Sequence, residues 1–120
     1  MTAMSHDRMT LTITRPPDGA VDYVQIVGDV DMSEVEALDR AAAKLQDGAG
    51  GGVCVDLGGI TFMDSTLVQF LEDLGDGGAG HLVICRPGRM ASRLIHLTGL
   101  DAVATVRADL PPHWPHQGTA

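Results

Sequence analysis

Aromatic side chains are nearly absent from this 120-residue chain: Tyr23, Phe62, Phe70 and Trp114 together make up 3%. So few rings leave no platform on which single-stranded bases could stack. Basic residues are also scarce, with 8 Lys and Arg against 16 Asp and Glu and a formal net charge of -8. Binding to a phosphate backbone rests on clustered Lys and Arg, so nucleic acid is not an expected partner. No apolar run approaches the roughly 20 residues of a membrane span. The segment from Met1 to Met9 carries His6, Asp7 and Arg8 and no apolar stretch of a secretory signal. Direct membrane insertion is therefore not expected, and a cytoplasmic location is. Cysteine is limited to Cys54 and Cys85, each inside an apolar strand-like run. That placement reads as reduced core residues rather than a disulfide framework or a metal site. Their strands could be neighbours, which leaves a redox pairing as an alternative.

What remains is a chain that is 44% hydrophobic and of a length for one domain with one core. Leu11–Thr14 alternates apolar and polar residues and predicts a strand. Pro16-Pro17-Asp18-Gly19 ends it in a turn, and Tyr23–Val27 returns as its hairpin partner. Ser33 with Glu36 matches a capping box, and Glu34 adds negative charge at the positive end of the helix dipole. Val35, Leu38, Ala42 and Leu45 follow at helical spacing, until Gly48-Ala49-Gly50-Gly51-Gly52 stops the helix. Val53–Leu57 predicts a strand buried on both faces, broken at Gly58-Gly59. Ile60–Met63 then runs into Asp64-Ser65-Thr66, polar residues where a helix N-terminus needs a cap. Leu67, Phe70, Leu71 and Leu74 mark that second helix. His81–Cys85 predicts another buried strand. Met90, Leu94 and Leu97 mark one face of a third helix closed by Gly99, and Ala102–Val106 a last strand. Pro111, Pro112 and Pro115 predict an irregular tail.

The order β-β-α-β-α-β-α-β implies an α/β domain with a mostly parallel sheet flanked by helices. It is divided into a flexible N-terminus at 1–8, a folded domain at 9–107 and the tail at 108–120. Functional residues are expected where strands end at their carboxyl side and helices begin. Two such loops stand out, Gly28 to Ser33 and Phe62 to Thr66.

Several catalytic patterns fail on context. Gly75-x-Gly77-x-x-Gly80 has the letters of a dinucleotide fingerprint, but it follows a helix and precedes a strand, the reverse of what pyrophosphate binding needs. Ser65 stands at a strand-to-helix turn, yet Met63 and Leu67 replace the glycines of a hydrolase elbow. His113 and His116 flank Trp114-Pro115 without a carboxylate cluster, and Asp29 with Asp31 forms only a two-residue set, so no metal is expected. Neither a catalytic residue nor a cofactor is predicted. A phosphoryl group on Ser65 would add roughly -1.5 to -2 charges. The helix dipole would accept it, and Asp64, Asp29 and Asp31 would repel it, so a binding surface could change sign while the fold persists.

The stretch Val53–Thr66 resembles the core motif of the STAS domain, and more narrowly that of bacterial anti-sigma factor antagonists. Gly28-Asp29-Val30-Asp31 is similar to the family's Gly-Glu-Leu-Asp segment, and Leu94–Leu100 to its third-helix ending. The resemblance implies a partner-switching protein. Such a protein binds an anti-sigma factor that is also a serine kinase, is released when that kinase phosphorylates it, and is reset by a serine phosphatase. It makes Ser65 the phosphoacceptor, with Thr66 as a secondary candidate. Asp29, Asp31, Asp64, Ser65, Thr66 and Leu67 become the partner-binding residues. Leu67 stands where the family usually has glycine, and the family's final amphipathic helix has no counterpart in the tail. The same fold also serves as an accessory subunit of membrane transporters such as lipid-import ATPases, which is the alternative function.

Overall fold

The computed structural model describes residues 2–6, 8–17, 21–47, 51–76 and 80–115. Its elements are β1 (Thr2–His6), β2 (Met9–Thr14), β3 (Asp22–Val30), α1 (Val35–Gln46), β4 (Val53–Met63), α2 (Ser65–Asp76), β5 (Leu82–Cys85), α3 (Gly88–Leu97) and β6 (Thr105–Arg107). Short 3-10 turns cover Met32–Glu34 and Leu100–Ala102. The six strands form one sheet in sequence order. β1, β2 and β3 are joined antiparallel, and β3, β4, β5 and β6 run parallel. The expected α/β order is thus present with one strand added in front. β1 occupies part of the segment expected to be a flexible terminus, because its backbone completes a ladder with β2 from Thr2↔Ile13 to His6↔Met9.

Alternation along the strands sends side chains to opposite faces. Val24 and Ile26, Val53, Val55 and Leu57, and Leu82 and Ile84 join the buried residues of all three helices in one core. Tyr23, Cys54 and Cys85 point the other way and meet Trp114 in a second, smaller cluster that contains no helix residue. The helices therefore cover one face of the sheet, and the chain after β6 crosses the other.

Several local readings are corrected. Gly58-Gly59 does not break the strand; β4 continues through it with two register shifts against β3. The glycines are there because of close approach. A Cβ on Gly58 would lie 2.6 Å from the Arg86 guanidinium, and one on Gly59 would lie 2.9 Å from Val27. The residue at the N-terminus of the first helical segment is Asp31, not Ser33: Asp31 Oδ1 accepts from the Ser33 N–H at 2.9 Å, and one 3-10 turn precedes α1. Val35 is 46% exposed, while Ala37 and Ala41 join Leu38, Ala42 and Leu45 inside. On α3 the inward residues are Ala91 and Ile95; Met90 and Leu97 face outward at 62% and 70% exposure. The small alanines define these faces and carry little weight in a pattern of large residues. Gly99 does end α3, at φ 77, donating its N–H to the His96 carbonyl. The last strand is shorter than expected, since Leu100–Ala102 coils before it. The tail has no strand or helix over 108–115, yet Trp114 is buried, in edge-to-face contact with Tyr23 at 5.2 Å. Asp18-Gly19, Gly48-Ala49-Gly50, Gly77-Gly78-Ala79 and His116 lie outside the described residues.

Candidate functional site

The site lies at the carboxyl ends of β3 and β4. The last pair of their ladder is Val30↔Met63, and the Asp64 N–H donates to the Val30 carbonyl at 3.2 Å. This bond extends the parallel register by one step, so the loop holding Asp31 and the turn holding Asp64-Ser65-Thr66 lie side by side. Asp64 caps α2: its Oδ1 accepts the Thr66 N–H at 2.8 Å, and its carbonyl accepts the Leu67 N–H at 3.2 Å. Ser65 is the first residue of α2 and is exposed; Thr66 is half-buried. A hydroxyl there stands at the positive end of the helix dipole, where added negative charge is best tolerated.

Leu67 does not belong to the exposed set. It is 0% exposed and part of the main core. One residue past Thr66, the helix has turned it inward. Its bulk relative to glycine is thus spent on packing beneath the first turn and not on the surface around Ser65.

The two loop aspartates are more constrained than the sequence suggested. Asp29 accepts from the Thr61 hydroxyl at 2.5 Å and lies 3.6 Å from Arg8 Nη1. Asp31 accepts from the Ser33 hydroxyl and from Arg8 Nη2, the latter at 2.7 Å. Arg8 thus spans both carboxylates, which turns a bare acidic pair into a partly neutralised one. Grouping Arg8 with the N-terminal segment concealed this. Its one signal was a lone cation just before the first predicted strand.

A groove of about 350 Å³ opens beside Ser65 between α1 and α2, lined among others by Val35, Asp39, Thr66, Gln69 and Asp73. A second, of about 240 Å³, lies where β4 and β5 end, and is lined by Phe62, Arg86, Arg89 and Met90. The residues beneath it were missed by sequence reasoning. Asp56 is 0% exposed and is gripped by Arg86 through Nε–Oδ1 at 2.9 Å and Nη2–Oδ2 at 2.6 Å. The Gly58 N–H donates to it at 2.9 Å, and Gln25 Nε2 at 3.4 Å. Burial pushes the Asp56 carboxyl up. The Arg86 guanidinium, the Gly58 N–H and Gln25 outweigh burial, and the net displacement is below the usual carboxylate range. Arg86 itself sits at φ 50, a left-handed backbone uncommon for a non-glycine residue. An aspartate inside the apolar run Val53–Leu57 was the signal, since carboxylates are almost never fully buried unless paired.

Cys54 and Cys85 are free thiols in contact, Sγ to Sγ 3.5 Å. The hydrogen bond to Cys85, with burial, raises the pKa of Cys54; the same bond lowers that of Cys85. His113 packs edge-on against Tyr23 at 5.8 Å. Among the described residues no three His, Cys, Asp or Glu side chains gather as metal ligands would, and no helix is long and apolar enough to cross a membrane.

The fold is a single mixed sheet with helices on one face, and at one strand-to-helix turn an exposed serine follows the capping Asp64. The family model described as Mlab, STAS domain matches residues 13–108. The chain belongs to the STAS domain family. The unphosphorylated form of the anti-sigma factor antagonist SpoIIAA superposes with a TM-score of 0.64 at 17% identity, covering 85% of this chain and 89% of that one. The phosphorylated form of SpoIIAA, a Bacillus cell fate determinant, gives 0.60 at 14%, covering 85% and 92%. An anti-sigma factor antagonist from Mycobacterium paratuberculosis gives 0.62 at 27%, covering 85% and 87%. No curated protein is significantly similar in sequence.

Proposed function

We propose that the protein is an anti-sigma factor antagonist switched by phosphorylation of Ser65. In this reading the unphosphorylated domain binds an anti-sigma factor that is also a serine kinase. Transfer of a phosphoryl group to Ser65 Oγ releases it, and a serine phosphatase restores the free hydroxyl. The observation that carries the reading is Ser65 itself, exposed on the first residue of α2 behind the Asp64 cap. A dianion there is accepted by the helix terminus, so the fold tolerates it. It also lies next to Asp64 and the Asp29–Asp31 loop, so the local surface becomes strongly negative. Asp29, Asp31, Asp64, Ser65 and Thr66 form the binding surface; Leu67 supports it from below.

The test is phosphorylation by the cognate kinase with peptide mapping, combined with binding of wild type, Ser65→Ala and Ser65→Asp. Phosphate is expected on Ser65. Ser65→Ala is expected to bind as wild type does. Ser65→Asp is expected to bind at least about tenfold more weakly, a loss of ~1.4 kcal/mol. Phosphate confined to another residue, or equal binding by all three proteins, defeats the reading.

The second reading, an accessory subunit of a membrane transporter such as a lipid-import ATPase, is favoured by the Mlab description of the matching family model. Co-purification with an ATPase at equal strength for Ser65→Ala and Ser65→Asp would establish it in place of the first.

A further inference from the structure

The face of the sheet that no helix covers carries a second chemistry, independent of Ser65. We propose that Cys54 and Cys85 form a redox modification site, which hydrogen peroxide converts to a reversible intrachain disulfide.

The two sulfur atoms are 3.5 Å apart on adjacent strands. Their surroundings are Tyr23 and Trp114, with Val21, Val83 and Leu110 partly buried around them. The cover over the pair is the segment after β6. Over residues 108–115 it has no helix or strand. It is pinned by the Trp114 and His113 contacts with Tyr23 and by a turn in which the Trp114 N–H donates to the Pro111 carbonyl at 3.0 Å. Segments of this kind open locally at a small fraction of the global unfolding free energy. Opening would admit a peroxide to thiols that are otherwise sealed, at 4% and 0% exposure.

The chemistry balances within the pair. The Cys85 thiolate attacks one peroxide oxygen, the O–O bond breaks, and a sulfenic acid forms with release of hydroxide, which takes up a proton to become water. The Cys54 sulfur, giving up its own proton, attacks the Cys85 sulfur. The S–O bond breaks and the second water leaves. Two thiols lose two electrons and two protons, and one peroxide becomes two waters. Cys85 acts first because its hydrogen bond with Cys54 favours its thiolate.

The register makes the bond reversible. Cys54 pairs with Val83, and Cys85 pairs with Asp56, so the cysteines are diagonal neighbours offset by two residues. With strands ~4.8 Å apart and a rise of ~3.3 Å per residue, a two-residue offset puts the Cα atoms ~8 Å apart, beyond the ~7 Å that a disulfide spans without backbone movement. Closing the bond draws β4 along β5. Asp56 lies on that path, directly opposite Cys85, so oxidation loads the Asp56–Arg86 bridge that shapes the entrance to α3. A bond closed under load is readily reduced.

The test uses the full-length native protein, treated with hydrogen peroxide, then quenched, unfolded and alkylated. The expected product is a monomer two hydrogens lighter that takes up no alkyl group. It yields one peptide pair linking Cys54 to Cys85 and is restored by dithiothreitol. Trp114→Ala is expected to form it several-fold faster. Full alkylation of both thiols, oxygen addition without linkage, or cross-linking between two chains overturns the proposal. An unchanged rate in Trp114→Ala overturns gating by the tail. The wild-type result stands alone if that variant does not fold.

Discussion

On the helical face of the sheet, residues from α1, α2, α3 and the strands β2 to β5 interlock in one continuous apolar core, with Leu11, Leu67, Leu71, Leu74 and Ile84 all 0% exposed. On the other face, burial is achieved by different means. An aspartate is neutralised by an arginine, two thiols touch, and an irregular segment lays one tryptophan over a tyrosine. The first face resists change because every methylene there has neighbours. The second is held by a few specific contacts, each of which can be titrated, oxidised or lifted away. Ser65 lies at the end of the sheet, on the first turn of a helix anchored in the thick core, so a charge placed on it acts on a rigid support.

The largest expected effect measures the first face. Leu71→Ala leaves a cavity that surrounding helices fill only in part, at a cost of about 3 kcal/mol. The matching truncation on the other face, Cys54→Ala, removes one sulfur atom and costs about 1 kcal/mol. Urea midpoints at constant slope read both. Equal losses would dissolve the contrast between the faces.

Next comes the ionic bridge, where the two partners are not equivalent. Arg86 is 43% exposed and Asp56 is 0% exposed. Arg86→Ala therefore strands a buried carboxylate and costs about 3 kcal/mol. Asp56→Asn leaves a half-exposed guanidinium free to turn to water and costs less. The pH dependence has a definite sign. In the wild type the Asp56 carboxyl is displaced downward. Its stabilisation is complete above the ordinary Asp pKa of about 3.9 and is lost as the pH falls toward the folded-state value. In Arg86→Ala burial, the largest influence, is opposed only by the Gly58 and Gln25 hydrogen bonds, and the carboxyl moves up. The gap between the two proteins should then narrow as the pH is lowered from 7 to 5. A gap independent of pH would show that Arg86 acts through packing.

These residues also mark what the sequence could reveal. The helix-covered face was legible because large apolar residues recur at periods of 2 and 3.6, and the order of elements followed from them. The Asp64-Ser65-Thr66 turn was legible because a cap has a local signature. Features made by contact between distant segments were not. Arg8 reaches Asp31 across 23 residues and Arg86 reaches Asp56 across 30, and neither pairing has a spacing rule. Gly58-Gly59 read as a break because the residues that crowd it, Arg86 and Val27, come from other strands and loops. The inner face of α3 was misassigned because Ala91 competes poorly with Met90 and Leu97 in any count of apolar bulk.

The smallest expected effect belongs to the turn that carries the proposed function, and it separates two roles of Asp64. As a cap, Asp64 accepts the Thr66 N–H; as a charge, it faces whatever is added to Ser65. Asp64→Ala removes both and costs about 1 kcal/mol. Asn caps a helix about as well as Asp does, so Asp64→Asn should cost only a few tenths of that while removing the charge. In the Asp64→Asn background, Ser65→Asp should then be better tolerated than in the wild type by roughly 0.5 kcal/mol, the size of a near-surface charge interaction at a helix end. A double-mutant cycle on thermal or urea unfolding reads this coupling. Zero coupling would mean that charge at position 65 is felt by the partner alone. Measurable coupling would mean that Asp64 biases the domain itself toward the unphosphorylated state.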